Sequence, residues 1–174
     1  MRLLKYYVAT SVDGFIAHED GSFDGFPWDD EVVADFFESF AWFDTVLMGR
    51  KTYEVGLREG KTSPYPMMKQ YVFSQTMTES PDENVTLVSE EGIERVQMLK
   101  QQPGKAIWLC GGSDLASKLF AANLIDEIIL KVNPVLFGSG IPLFSRKEKL
   151  TKLELTTNKI YNNGTAVLFY QIKR

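Results

Sequence analysis

One stretch constrains this chain more than any other: Ala106-Ile-Trp-Leu-Cys-Gly-Gly-Ser-Asp-Leu-Ala-Ser-Lys-Leu-Phe120. Ala106–Cys110 reads as a short buried strand. Gly111-Gly112 then lets the backbone turn tightly and leaves room for a close approach, because neither residue carries a Cβ. Ser113 and Asp114 open a helix whose apolar face is Leu115, Leu119 and Phe120. The unpaired N–H groups and positive dipole end of such a helix converge on one spot, which suits an anion. By itself, Gly-Gly before a helix is more often a plain connection than a phosphate site.

The rest of the chain repeats the strand–helix theme. Leu3–Thr10 is an apolar run rich in Tyr and Val, and predicts a first buried strand. Asp13-Gly14 is a turn signal, and the Gly- and Asp-rich segment His18–Gly25 predicts a loop of the kind that closes over ligands. Asp29-Asp30-Glu31 places acids at a helix mouth, where the dipole favours them. The helix itself is predicted over Val32–Phe43, with Val33, Phe36, Phe37 and Phe40 on one face. Strands follow at Thr45–Met48, Gln70–Ser74 and Val85–Val88, and helices start at Gly49 and run over Ile93–Gln101. A strand at Glu127–Val132, the glycine loop Phe137–Gly140 and two strands, Lys152–Lys159 and Thr165–Lys173, complete the chain. Asn162-Asn163-Gly164 joins the last two as a hairpin. The pattern predicts one α/β domain over 1–174, with a mostly parallel sheet flanked by helices and an antiparallel C-terminal hairpin.

Composition narrows the function. A formal net charge of −4 offers no excess cation to displace counterions, which argues against nucleic acid. Cys110 is the one cysteine and His18 the one histidine, so an internal disulfide and a metal site built from several of these residues are excluded. No apolar run approaches the roughly 18 residues of a membrane span, and the first residues turn polar too soon for a signal peptide. The expectation is a cytoplasmic protein without membrane partners.

In open parallel sheets, ligands bind beyond the carboxyl ends of the strands. Three such ends carry chemistry here. Gly49-Arg50-Lys51-Thr52 combines a helix start with two cations; Ser74-Gln75-Thr76 offers hydroxyls and an amide; Gly111-Gly112-Ser113 is the second anion cradle. Two cradles on parallel strands suit the pyrophosphate of a dinucleotide. Arg50, Lys51 and Ser74 suit an extra phosphate, such as the 2′-phosphate of NADPH. Taken singly, each is as readily a solvated turn or a strand cap.

Val46-Leu-Met-Gly-Arg-Lys-Thr-Tyr-Glu54, Val72-Phe-Ser74 and Leu109-Cys-Gly-Gly-Ser113 resemble, in order and spacing, the three NADPH-binding segments of dihydrofolate reductase. Ala9, Asp13–Ala17 and Phe26-Pro27-Trp28 are similar to that family's first strand and nicotinamide loop. Pro134–Phe144 looks more like the reductase domain of the bifunctional riboflavin-biosynthesis enzyme, the RibD C-terminal domain. The resemblance implies a dihydrofolate-reductase-like fold and NADPH held by Gly49, Arg50, Lys51, Thr52, Ser74, Gln75, Gly111, Gly112, Ser113 and Leu115, with the nicotinamide near Ala9 and Ile16. It also implies a homodimer, for which Leu136-Phe137 and Ile141–Phe144 offer apolar surface.

One departure matters more than the matches. The helical carboxylate that grips the pterin in dihydrofolate reductase falls on Val33 here, and valine neither donates nor accepts. Asp30, three residues earlier, is the candidate replacement acid, although a solvated helix-start charge explains it as well. Trp28, Val33, Phe37 and, at the nicotinamide loop, Asp13 are the candidate substrate contacts. The expected activity is hydride transfer from NADPH to a C=N or C=O carbon of a small heterocycle, of the 5-amino-6-(5-phosphoribosylamino)uracil reductase type. The alternatives are a nucleotide-binding protein of this fold without catalysis, or a dihydrofolate reductase that lacks the usual carboxylate. For substrate phosphate, Lys5, Arg58, Lys61 and Lys131 are available, though nothing in the sequence places them together.

Overall fold

The computed structural model describes residues 1–146 and 149–174. Its elements, in chain order, are β1 (Leu4–Thr10), β2 (Phe15–Ala17), α1 (Asp30–Ser39), β3 (Phe43–Gly49), α2 (Arg50–Arg58), β4 (Lys69–Phe73), β5 (Val85–Val88), α3 (Gly92–Gln101), β6 (Ala106–Gly111), α4 (Ser113–Ala121), β7 (Glu127–Val132), β8 (Ile141–Pro142), β9 (Leu153–Ile160) and β10 (Ala166–Ile172). Eight strands form one sheet in the order β5-β4-β3-β6-β1-β7-β10-β9. The pairings from β5 across to β7 are parallel, and β10 and β9 close that side antiparallel. The predicted α/β class and its C-terminal hairpin are both present.

The central strands are apolar on both sides because both sides are covered. Leu4, Tyr6, Leu47, Ile107 and Leu109 pack with Val96 and Leu99 of α3 and with Leu115 and Leu119 of α4. Their neighbours Tyr7, Val46, Met48 and Trp108 point to the opposite face, against Val32 of α1 and Tyr53 of α2. Trp108 also donates its indole N–H to the Tyr7 carbonyl at 3.0 Å, which satisfies the one polar atom of a fully buried ring.

Three expectations are corrected. The helix predicted over Val32–Phe43 ends at Ser39, passes through a short 3₁₀ turn, Phe40–Trp42, and hands Phe43 to β3. Ser39 donates its hydroxyl back to the Phe36 carbonyl at 2.5 Å, and Phe43 is drawn into the core, so tertiary burial overrides the helical run of phenylalanines. Within α1, Val32 rather than Val33 takes the buried position, and Phe37 stays exposed. The proposed apolar interface is largely used internally: Phe137 stacks between His18 and Phe26, and Phe144 packs on Tyr6 and Phe120. Of that surface, Leu136 and Pro142 are left exposed. The β2–β8 pairing, which ties the glycine loop to the segment after β1, has no periodicity to announce it.

The most deeply buried lysine is fully partnered. Lys100 is nearly inaccessible, donates to the Leu124 carbonyl at 2.7 Å and pairs with Asp126, whose carboxylate also accepts the Leu4 amide at 2.8 Å. This knot joins α3 to the starts of β1 and β7. Replacing Lys100→Met removes the cation and leaves the carboxylate short of a partner. The expected cost is about 2 kcal/mol, read as a lower urea midpoint with an unchanged slope.

Candidate functional site

A cleft of about 1820 Å³ runs across the carboxyl ends of the central strands. Its first wall is made where β3 and β6, neighbours in the sheet, turn into α2 and α4. Register slips between Leu47 and Met48, so that Leu47 faces Leu109 while Met48 faces Gly111, and Cys110 is the extra, bulged residue. The glycines of this turn sit where a Cβ would be crowded. A Cβ on Gly49 would sit 3.2 Å from the Gly112 nitrogen, and one on Gly112 would sit 3.3 Å from Thr52 Oγ1. Gly111 itself has φ +140°, a conformation that side chains disfavour. The peptide between the two is cis.

Both helices that start here are uncapped. Gly49 and Gly112 occupy the N-cap positions of α2 and α4, and neither supplies a side-chain acceptor. By contrast, α1 is capped by Asp29, which accepts the Val32 amide at 3.0 Å. The free N–H groups of α2 and α4 therefore face one cleft, with no acceptor among the described residues competing for them. Ser113 adds a second orphan: its Oγ is buried without a hydrogen-bond partner. Protein atoms leave this cradle polar and unsatisfied, and the residue types are those an anionic diphosphate would satisfy.

Every residue anticipated for a cofactor lines this cleft: Ala9, Ile16, Gly49, Arg50, Lys51, Thr52, Ser74, Gln75, Gly111, Gly112, Ser113 and Leu115. Arg50 is held by Glu54 at 2.7 Å, whereas Lys51 is exposed and makes no ion pair among the described residues. Ser74 is doubly used. Its Oγ accepts the amides of Thr76 and Met77 at 3.2 and 3.0 Å, which shapes the turn after β4 while the residue borders the cleft.

The other end of the cleft is aromatic. Trp28, Val33, Phe36 and Phe37 are there as anticipated, joined by Tyr7, Phe40, Tyr65 and Trp108, which the sequence reading did not select. Tyr65 stands 4.7 Å, centroid to centroid, from Trp108 and edge-on to it. Its hydroxyl lies 3.8 Å from Cys110 Sγ. The thiol and burial raise the Tyr65 phenol well above the ordinary range, and burial pushes the Cys110 thiol up to about 11, so both stay protonated near neutral pH. Lys131 also lines this cleft, and burial lowers its ammonium pKa.

Two candidates are placed elsewhere. Asp30 accepts the Trp28 indole N–H at 2.9 Å on the exposed start of α1 and does not line the cleft. Asp13 turns its carboxylate to the amides of Phe137 and Gly138, at 3.1 and 2.8 Å, and is a loop clasp rather than a cleft residue. His18 lies in the same clasp, stacked on Phe137 at 3.9 Å.

A family model for the RibD C-terminal domain matches residues 2–169. The chain belongs to the RibD C-terminal domain family. The uncharacterized Bacillus subtilis protein YwjB is 38% identical over 96% of this chain and 95% of its own. A crystal structure from Shewanella sp. PV-4, provisionally named a riboflavin biosynthesis protein, is 27% identical, with a TM-score of 0.84 and 99% of both chains covered. Dihydrofolate reductase from Enterococcus faecalis, complexed with NADP(H) and RAB-propyl, superposes with a TM-score of 0.72 over 99% of this chain and 97% of its own. At 18% identity it shows the shared fold alone. The dihydrofolate-reductase-like architecture that the motifs implied is thus the architecture this RibD C-terminal domain has.

The Asp13 clasp is open to a pH test. The Ser11 hydroxyl first, then the Phe137 and Gly138 amides, hold the Asp13 carboxyl down to about 2. A lowered folded value means that the clasp contributes fully above the ordinary carboxylate range and is lost as pH falls through about 2. The protection factors of the Phe137 and Gly138 amides, exchange measured by NMR relative to the intrinsic rate at each pH, should fall in wild type only as pH drops below about 4. In Asp13→Asn they should already be low at neutral pH.

Proposed function

We infer that this protein is an NADPH-dependent reductase that delivers hydride to a C=N or C=O carbon of a small planar heterocycle, of the riboflavin-pathway reductase type. One observation carries the reading: two uncapped helix N-termini meet across glycines, beside a buried hydroxyl that no protein atom satisfies. Family membership supports the same assignment.

In this reading Gly49–Thr52 and Gly111–Leu115 hold the pyrophosphate through backbone N–H groups and the Ser113 hydroxyl. Arg50, Lys51, Ser74 and Gln75 receive the 2′-phosphate, and Glu54 keeps the Arg50 guanidinium in place for it. Ala9 and Ile16 pack on the nicotinamide. NADPH supplies the hydride when bound. The chain's part is to hold a ring against that cofactor with Trp28, Val33, Phe36 and Phe37 and to keep water from it. The acids of α1 are committed elsewhere, as Asp29 caps the helix and Asp35 binds Lys159 and Tyr161. Dihydrofolate, which the fold's carboxylate ordinarily grips, is therefore not the assigned substrate.

A homodimer belongs to the same proposal. The edge strand β9 leaves Leu153, Leu155 and Ile160 exposed, and a second copy would cover such an edge. Sedimentation should give twice the chain mass. Among the described residues no helix is long and apolar enough to cross a membrane, which accords with a cytoplasmic enzyme.

Calorimetry with NADPH and NADH tests the cofactor site. NADPH should bind with micromolar affinity and NADH more weakly. Arg50→Ala should erase about tenfold or more of that preference, the strength of a charge-assisted contact. Absence of binding by both nucleotides sinks the reading.

A further inference from the structure

We propose that Lys131 is the substrate anchor of this cleft, and that the ring it holds is a planar heterocycle bearing a full negative charge on the edge that meets the ammonium. The inference deepens the reductase reading and rests on it.

Lys131 lies on β7 between Ala9 of β1 and Val167 of β10 in the sheet register. Its side chain follows Ile129 by two residues, so it rises on the face that carries Tyr7, Val32 and Trp108. There it lines the cleft beside the strand end that Ala9 marks, on the far side of β1 from the glycine cradles. Its sheet neighbours are uncharged, and among the described residues it makes no ion pair, while Lys5 and Lys100 each have a carboxylate. The acids of α1 that could approach are taken: Asp35 and Glu31 by Lys159, and Asp30 by the Trp28 indole.

A half-buried ammonium with no partner is costly, and burial already lowers its pKa. Folds retain such a group where a ligand completes it. The rest of the cleft defines the ligand. The aromatic end, with Phe36, Phe37 and Tyr65, accepts a flat ring, and the neutral Tyr65 hydroxyl and Cys110 thiol offer no charge that would repel an anion. Val33 lines the same cleft and, unlike a carboxylate, brings no negative charge to it.

The test uses two rings that differ by one carboxylate, orotate and uracil, titrated into ¹⁵N-labelled protein and followed by amide shifts. Wild type should bind orotate at least tenfold more tightly than uracil. Lys131→Met keeps the apolar stem and should erase that difference, leave uracil unchanged and leave NADPH binding by calorimetry unchanged. Lys131→Arg should retain most of the preference. Equal binding of the two rings by wild type overturns the proposal, as does a preference that survives Lys131→Met. So does the absence of a saturable shift by either ring up to about 10 mM. The rings are titrated without cofactor, so loss of NADPH binding with the orotate preference intact would fault the cofactor reading and not this one.

Discussion

The contact on which the site depends is the approach of two backbone turns, at Gly49 and Gly112, so close that a Cβ on Gly49 would lie 3.2 Å from the Gly112 nitrogen. It is set by the β6 bulge at Cys110, which advances the chain by one residue and brings Gly111 level with Met48. Without the bulge, the starts of α2 and α4 would be out of step. With it, two dipole ends share one space and neither is satisfied by a cap. Two positive helix ends repel one another when left alone, so the arrangement is favourable when an anion lies between them.

That contact is held from beneath by the two-faced core. Trp108 precedes the bulge by two residues and is packed by Phe40, Phe43 and Tyr65, with centroids 5.4, 6.1 and 4.7 Å away. Phe40, Tyr65 and Trp108 are also the floor of the cleft's aromatic end. A stiff support for the glycine turn and a flat surface for a ring are thus one cluster, and a change that loosens the floor reaches the cradle as well.

Much of this was legible in the sequence for a definite reason. Strand–glycine–helix turns at Gly49 and Gly111 are encoded locally, by residues within a few positions of one another, and so are the hairpin at Asn162–Gly164 and the cap at Asp29. The resemblance they carried reached the fold and the cleft. What escaped depends on contacts distant along the chain. Nothing local shows that Phe43 belongs to a strand, since its strand partner Ala106 is far along the chain. Asp13 reads as a turn residue near the nicotinamide loop, yet its partners, Phe137 and Gly138, arrive from beyond β7. Lys131 was visible as a cation but not as a solitary one, because solitude is a property of the neighbours. Tyr65 sat in a proline loop with no period to reveal its direction.

The charge of the cleft follows from distance rather than from totals. The chain carries −4 overall, and at long range it would repel a nucleotide. At physiological salt that repulsion is screened within about 8 Å, so an approaching phosphate responds chiefly to what borders the cleft. There the order is graded. Cations and helix starts stand at α2, acids Glu90, Glu91 and Glu94 stand around the start of α3, and Lys131 stands beyond the cradles at β7. An anion can be neutralised at either cationic end but is opposed near α3. The two ends lie on opposite sides of β1, where Ala9 offers a small side chain and no charge. A phosphate-bearing cofactor and an anionic ring can therefore lie along one cleft without competing for the same cation, and the uncharged middle is where their reacting atoms would meet.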